Sequence, residues 1–435
     1  MASEAPQVAG RQAWVIGAGL AGLSAALRLT QQGWHVTILE AAGQAGGRCR
    51  SYEDKQLGRR IDNGNHLLLS GNRSAFAFLD EIGAAHTLIQ VSPAQVPFVD
   101  LRDGTQWTLR PNAGPIPWWV AAPSRRVPGT RLGNYLAALK MARAGNRTIA
   151  DLFVGNEGSP GRVLYDRFWE PMAVAVLNTE AERGAARLLW PVMTEILMRG
   201  EAAFRPCIAR EGLTESFVDP ALKWLAAQGA DVRFGQRVRT IEFTDQKAIG
   251  LELADETLPV APTDAVIAAV TPAVCSGLVP DVRVPDEYRP IVNVHFAVDA
   301  PLPFPGGLPL VGLIGGTAQW LFQREGILSV TISAGVTESG WAQEKIIETV
   351  WRDICRALGV QADMPAGRVV TEKRATIAQS PDQDARRPSA TTPWRNVFLA
   401  GDWTDTGLPA TIEGAIRSGE IAAKSAAAAS RLPSS

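Results

Sequence analysis

Hydrophobic and polar positions along the chain follow two alternating periods. Residues 13–16 form a short apolar run of strand type, and Leu23, Ala26, Leu27 and Leu29 then recur with helical spacing. After Gly33 a second apolar run, residues 36–39, reads as a strand ending in Glu40. The strand signature returns in "ADVRFGQRVRTIEF", "DAVIAAVTP", "VNVHFAVDA" and "GILSVTISAG", and again in "NVFLA" at residues 396–400. Helical patterns fill "LGNYLAALKMARAG", "ARLLWPVMTEILMRG", the stretch from Glu344 to Leu358, and an alanine-rich tail starting near Glu413. Strands interleaved with helices predict the α/β class.

Between the first strand and the first helix stand Gly17, Gly19 and Gly22 at G-x-G-x-x-G spacing. The first allows a tight turn, the second lets backbone approach a pyrophosphate, and the third lets helix pack closely on strand. Phosphates would sit on the helix N-terminus, where free N–H groups and the dipole favour negative charge. A carboxylate at Glu40 accepts hydrogen bonds from ribose hydroxyls, so the expected ligand has an unphosphorylated adenosine end. The unit predicts dinucleotide binding without choosing between NAD and FAD.

At 435 residues the chain is long enough for two or three domains' worth of core. Its formal net charge is −1 and it has no long basic run, so nucleic acid is not an expected partner. Cys49, Cys207, Cys275 and Cys355 show neither a disulfide framework nor metal-ligand spacing, which fits a reducing cytoplasm and predicts no metal site. The opening "MASEAPQVAGRQ" lacks the basic and apolar regions of a secretion signal, and no apolar stretch is long enough to span a bilayer. The expected location is the cytoplasm, free or on the inner face of the cytoplasmic membrane.

Gly46-Gly47-Arg48, and Gly401-Asp402-Trp403 followed by "GLPATIEGAIRSG", give the chain a resemblance to flavoproteins of the amine oxidase and phytoene desaturase superfamily. The resemblance implies FAD. It puts Gly46 and Gly47 close to the diphosphate with Arg48 bracing it, and the Val238 backbone on the adenine edge. It also puts Gly401 and Asp402 at the pyrophosphate or ribityl chain, and the Ile412 amide at the pyrimidine edge of the flavin. A helix N-terminus there stabilises an anionic reduced flavin, which favours hydride chemistry. The implied architecture is a discontinuous Rossmann-like FAD-binding domain with an inserted α+β substrate-binding domain. The flavin domain is expected over 10–85, 205–280 and 370–430. The substrate domain is expected over 86–204, mostly helical, and 281–369, sheet plus helix.

"GPIPWWVAAPSRRVPG" sets Trp118 and Trp119 ahead of Arg125 and Arg126. Such a grouping suits peripheral contact with a membrane interface, and equally suits a buried tryptophan pair in a turn. "IDNGNHLLLSGNRS", "FWEPMAVAVLNT" and "AGDWTDTGLPATIEGAIRSG" together resemble the hydroxysqualene dehydroxylases, FAD enzymes of bacterial hopanoid synthesis. Asn65 departs from that pattern, since family members often carry Gln there. The resemblance implies a hydrophobic C30 isoprenoid substrate and pathway partners of the squalene-synthase type. It implies a reductive reaction in which hydride from reduced flavin N5 replaces an allylic hydroxyl, giving squalene.

The leaving hydroxyl needs a proton as positive charge develops on carbon. His66, in the "DNGNH" turn, and Glu170, ahead of a proline and an apolar run, are the candidate donors. Each also reads as a structural residue, Glu170 as an acid paired with Arg162, Arg167 or Arg183. Asp62 is expected to brace the flavin-side backbone. Two other functions stay open: a carotenoid-type desaturase using oxidised FAD, and a non-catalytic isoprenoid escort. An amine oxidase would frame its flavin with several aromatic rings, where this chain offers Trp403 alone.

Overall fold

A computed structural model describes residues 11–324 and 326–431 of the chain. The expected lack of a secretion signal concerns mainly residues 1–10, which lie outside the described residues. β1 (Gln12–Ile16), α1 (Leu20–Gln31) and β2 (His35–Glu40) form the opening unit. β1 is the centre of a five-stranded sheet ordered Asp231–Phe234, β2, β1, Ala265–Ala268, Val397–Leu399. Every pairing in it is parallel, with Val15 beside Ile38 on one side and Ile267 on the other. One face packs Ala13, Val15 and Ile38 under helices, and the other packs Ile16 and Leu39 under the antiparallel strands Thr240–Thr244 and Lys247–Glu252. Burial on both faces explains why these strands read as apolar runs rather than as alternation.

α1 and the C-terminal helix, Ile412–Ala429, lie against each other. Gly419 permits the approach, because a side chain there would run into the Ala21 carbonyl. Ser24 Oγ donates to the Ile416 carbonyl at 2.8 Å, and Arg28 pairs with Glu420 at 2.6 Å. Both helices follow parallel strands, so their N-termini open at the carboxyl edge of the sheet, where open α/β sheets bind ligands.

A second, seven-stranded sheet runs Gly367–Ile377, Tyr288–Ala297, Ile327–Ile332, Trp320–Arg324, Leu310–Ile314, Val96–Asp100, Gln106–Leu109. The helix Gln343–Leu358 buries Ile346, Val350 and Ile354 against it, the i, i+4, i+8 face of an amphipathic helix. The segment expected to be mostly helical, 86–204, thus contributes two strands to this sheet before its helices begin. "VPFVD" is buried at all five positions, so it shows no alternation from which to read a strand. "ADVRFGQRVRTIEF" breaks into two strands joined by an extended connection, and Val238 sits in that connection rather than in a strand.

Candidate active site

A cavity of about 600 Å³ opens at the carboxyl edge of the parallel sheet. Gly17 and Gly19 line it after β1, Glu40 after β2, and Gly46, Gly47 and Arg48 from the next loop. Val238, Gly401, Asp402 and Ile412 complete the wall. Gly17 turns at φ +103°, and a Cβ there would meet the Ala269 carbonyl at 2.5 Å. Gly22 does not reach the cavity; a Cβ there would collide with the Gly17 carbonyl, so this glycine serves the packing of α1 on β1. Gly19 faces open space, and a Cβ there would have no neighbour within 4 Å. That space, beside the unpaired N–H groups opening α1, is a cradle suited to a pair of phosphates.

The Glu40 carboxylate accepts from the Ala18 and Ala42 amides, each at 2.7 Å. These bonds fix its orientation and leave lone pairs on both oxygens for hydroxyl donors. Arg48 has its charge partner in the protein itself: its guanidinium pairs with Asp402 at 2.7 Å and donates to the Ala375 carbonyl. Asp402 beside it raises the pKa of Arg48. The arginine therefore ties the second glycine motif to the last motif across the cavity. Behind Asp402 a fully buried Arg387 donates to the carbonyls of Thr404 at 2.6 Å, Leu408 at 2.7 Å and Asp402 at 3.2 Å. Its carbonyl partners lie 15 to 21 residues further along the chain, beyond the reach of a local motif.

A second cavity of about 290 Å³ is walled mainly by apolar side chains, among them Leu67, Phe98, Phe168, Met172, Val176 and Trp320. The two cavities share Asn65, His66, Ile291, Thr376, Ala410, Thr411 and Ile412. His66 and the N-terminus of the C-terminal helix therefore stand where they meet. Burial pushes the His66 pKa down to about 4, against the opposing pull of Asp62, so the imidazole is neutral at pH 7. The turn carrying it is pinned by a chain of amides and a hydroxyl. Asn65 donates to Thr331 Oγ1 at 3.0 Å, Thr331 donates to Asn293 at 3.0 Å, and Asn293 donates to the Asn63 carbonyl at 3.4 Å. Asp62 accepts from Ser51 at 2.6 Å and from the Leu213 amide at 3.0 Å, and pairs with Arg324 at 2.9 Å, a bracing arrangement.

Glu170 lines neither cavity. Its helix, Glu170–Leu177, turns Met172, Ala175 and Val176 toward the apolar cavity. Glu170 lies near Tyr165, Glu182 and Asp166 instead; burial, then the two neighbouring acids, raise its pKa. The expectation that it is a pocket acid is corrected by this placement. Arg162, Arg167 and Arg183 are also not its partners, since they pair with Asp166, Asp100 and Glu287. The acids on the apolar cavity are Glu195 and Glu413, both held by Arg417, at 2.9 and 2.8 Å. Glu413 also accepts from the Ser74 and Ala75 amides at the start of the helix Arg73–Glu81, so it is a structural cap.

Within "FWEPMAVAVLNT" the helix Glu170–Leu177 stops at Asn178, whose φ is +46°. Asn178 accepts from the Ala334 amide at 2.6 Å and donates to Thr376 at 3.0 Å. Buried Gln379 donates to the Leu177 carbonyl at 2.6 Å and accepts from the Ala410 amide at 2.8 Å. The motif thus acts as a hub joining the substrate-side helix to the loop before Ile412. Among the described residues, no group of three or more His, Cys, Asp or Glu side chains is placed to hold a metal ion.

Residues 20–427 match the family described as flavin containing amine oxidoreductase. A protein of Zymomonas mobilis named hydroxysqualene dehydroxylase is 45% identical, the alignment covering 94% of this chain and 97% of that protein. One of the same name from Rhodopseudomonas palustris is 43% identical, over 96% of this chain and 98% of that protein. The chain belongs to the hydroxysqualene dehydroxylase family. Membership makes it a flavin-dependent oxidoreductase with FAD as cofactor, and the cavity with Gly19, Glu40 and the Arg48–Asp402 pair on its walls fits that molecule. A probable zeta-carotene desaturase of Synechococcus elongatus is 25% identical over 94% of this chain and 97% of that protein. Among solved structures, putrescine oxidase superposes with a TM-score of 0.71 at 15% identity, covering 96% of this chain and 100% of that one, which shows the shared fold.

Proposed function

We propose that this chain, with reduced FAD, removes the hydroxyl of hydroxysqualene to leave squalene. The observation that carries this reading is the junction: a nucleotide-shaped cavity and an apolar cavity share His66 and the Ile412 helix N-terminus. Relatives named hydroxysqualene dehydroxylase, at 42 to 45% identity, support the substrate class. In this reading Gly17, Gly19 and the start of α1 hold the pyrophosphate, Glu40 the adenosine ribose and Val238 the adenine. Gly46, Gly47 and Arg48 close over the diphosphate, while Gly401 and Asp402 meet the ribityl side. Gly22 keeps α1 close to β1. The flavin domain is assembled from 10–85, 205–280 and 370–430, and the intervening segments form the substrate domain.

When bound and reduced, FAD supplies the hydride, and its negative charge favours a protonated neighbour. His66 takes up that proton on its ring and passes it to the hydroxyl oxygen as the C–O bond breaks, so that water leaves. With the C–O bond broken, a hydride supplied to the allylic carbon would balance the reaction, with one proton consumed and water released. Apolar walls such as Phe168 and Met172 keep out water that would otherwise recapture the cation. Asn65 and its hydrogen-bonded chain hold His66 in position. The substrate would come from a squalene-synthase-like partner, with the protein on the inner face of the cytoplasmic membrane through the Trp118, Arg125 and Arg126 segment.

Two anaerobic incubations run side by side test the direction of the chemistry. Reduced enzyme should convert hydroxysqualene to squalene, and oxidised enzyme should leave phytoene untouched. Desaturation of phytoene without deoxygenation would replace this reading with a carotenoid-type desaturase. Protein that purifies without flavin would make it an isoprenoid escort.

A further inference from the structure

The charge of −1 for the whole chain hides a strong local imbalance. From Gly104 to Ala150 there are seven cations (Arg110, Arg125, Arg126, Arg131, Lys140, Arg143 and Arg147) and no Asp or Glu. Among the described residues none of the seven is ion-paired. The same stretch exposes Ile116 at 74%, Trp118 at 54%, Leu132 at 48%, Leu136 at 65% and Leu139 at 59%. Leu136 and Leu139 lie three apart in a 3₁₀ helix, Leu136–Arg143, where such positions eclipse on one side. Large apolar side chains so concentrated mark an interaction surface.

The two tryptophans divide between the two expectations, one buried in the turn and one exposed. Trp119 is buried and packs edge-on against Tyr135, with ring centroids 5.7 Å apart, which joins its turn to the helix Leu132–Tyr135. Trp118 points outward with Arg125 over its ring at 4.9 Å. The surface also adjoins the apolar cavity. The Asn112 carbonyl accepts from the Glu201 amide at 2.9 Å, between Leu197 and Phe204, and both of those side chains line that cavity.

We infer that the face built from residues 112–147 docks the protein on the surface of an anionic phospholipid bilayer, and that the isoprenoid enters the apolar cavity from that side. The inference rests on the proposed oily substrate and deepens it by naming the surface that delivers it. Leucines and Trp118 enter the headgroup boundary while the unpaired arginines and Lys140 meet lipid phosphates. Charge argues for an anionic bilayer over a second copy of the same face, because every charged side chain of the stretch is a cation and two such faces would repel. Among the described residues no helix is long and apolar enough to cross a membrane, so the contact lies in the interface plane.

Flavin-loaded protein, followed by flavin absorbance, is floated with vesicles of phosphatidylglycerol and phosphatidylethanolamine or of phosphatidylcholine alone. Binding is expected to the anionic vesicles, and to fall with added salt. Arg125→Gln with Arg126→Gln should weaken it about fivefold per charge removed. Leu136→Ser with Leu139→Ser should weaken it at least tenfold while the protein keeps its flavin. Wild-type protein that stays unbound at low salt overturns the inference. So does a dimer in gel filtration that the leucine pair abolishes, which would give the face to a second copy of the chain. No turnover is read, so this result is independent of whether the dehydroxylation reading holds.

Discussion

His66 and Glu170 look alike in the sequence as proton donors, and position separates them. Replacing His66 with Ala should slow reoxidation of the reduced flavin by hydroxysqualene about 10²- to 10⁴-fold, the usual share of a general acid, with flavin still bound. Glu170→Gln should leave that rate near wild type, because Glu170 lines neither cavity. Stopped-flow absorbance on the two variants decides between them. Arg48→Met should cause the flavin to be lost on gel filtration, since it strands the buried Asp402 carboxylate beside the cofactor site. Gly17, Gly19, Glu40, Gly46 and Asp402 could be grouped from the sequence because each stands within a few residues of a strand or helix end, and all five line the larger cavity. The links from Gln379 to Leu177 and from Arg417 to Glu195 could not be read from it, because they span 202 and 222 residues of sequence.

At the scale of elements, the contact between α1 and the C-terminal helix decides whether the first and last thirds of the flavin site face each other. Gly419→Val should destabilise the protein by about 1–3 kcal/mol or more, because the obstacle is the Ala21 backbone, which has no rotamer to yield. Ser24→Ala should cost about 1 kcal/mol, the worth of one buried hydrogen bond. Urea melts of both variants check the order. Long periodic elements such as Gln343–Leu358 could be read from the sequence almost to the residue. Val96–Asp100 could not, because a strand buried on both faces carries no alternation, and its place beside Leu310–Ile314 is set by tertiary pairing. The stretch around Leu136 reads as an α-helix by spacing, yet forms a 3₁₀ helix whose leucines reach solvent.

For the whole molecule, two histidines held neutral by burial, His66 and His295, link folding to acidity. His295 is fully buried, with Nδ1 on Ser329 Oγ at 2.7 Å, and burial pushes its pKa down to about 4. The unfolded chain takes up that proton near pH 6.5, and the folded protein only near 4. Its contribution is therefore complete above pH 6.5 and is lost as pH falls toward 4, by up to about 1.4 kcal/mol per unit. The drop in urea midpoint between pH 7 and pH 5 should be smaller in His295→Gln than in wild type.

One reaction is expected to join the two cavities, and a single anaerobic turnover reads it out. Photoreduced flavoprotein is mixed with hydroxysqualene, and flavin absorbance and product mass are followed together. One squalene formed for each flavin reoxidised is the result this account requires. Flavin that stays reduced in the presence of hydroxysqualene, with no squalene formed, would contradict it.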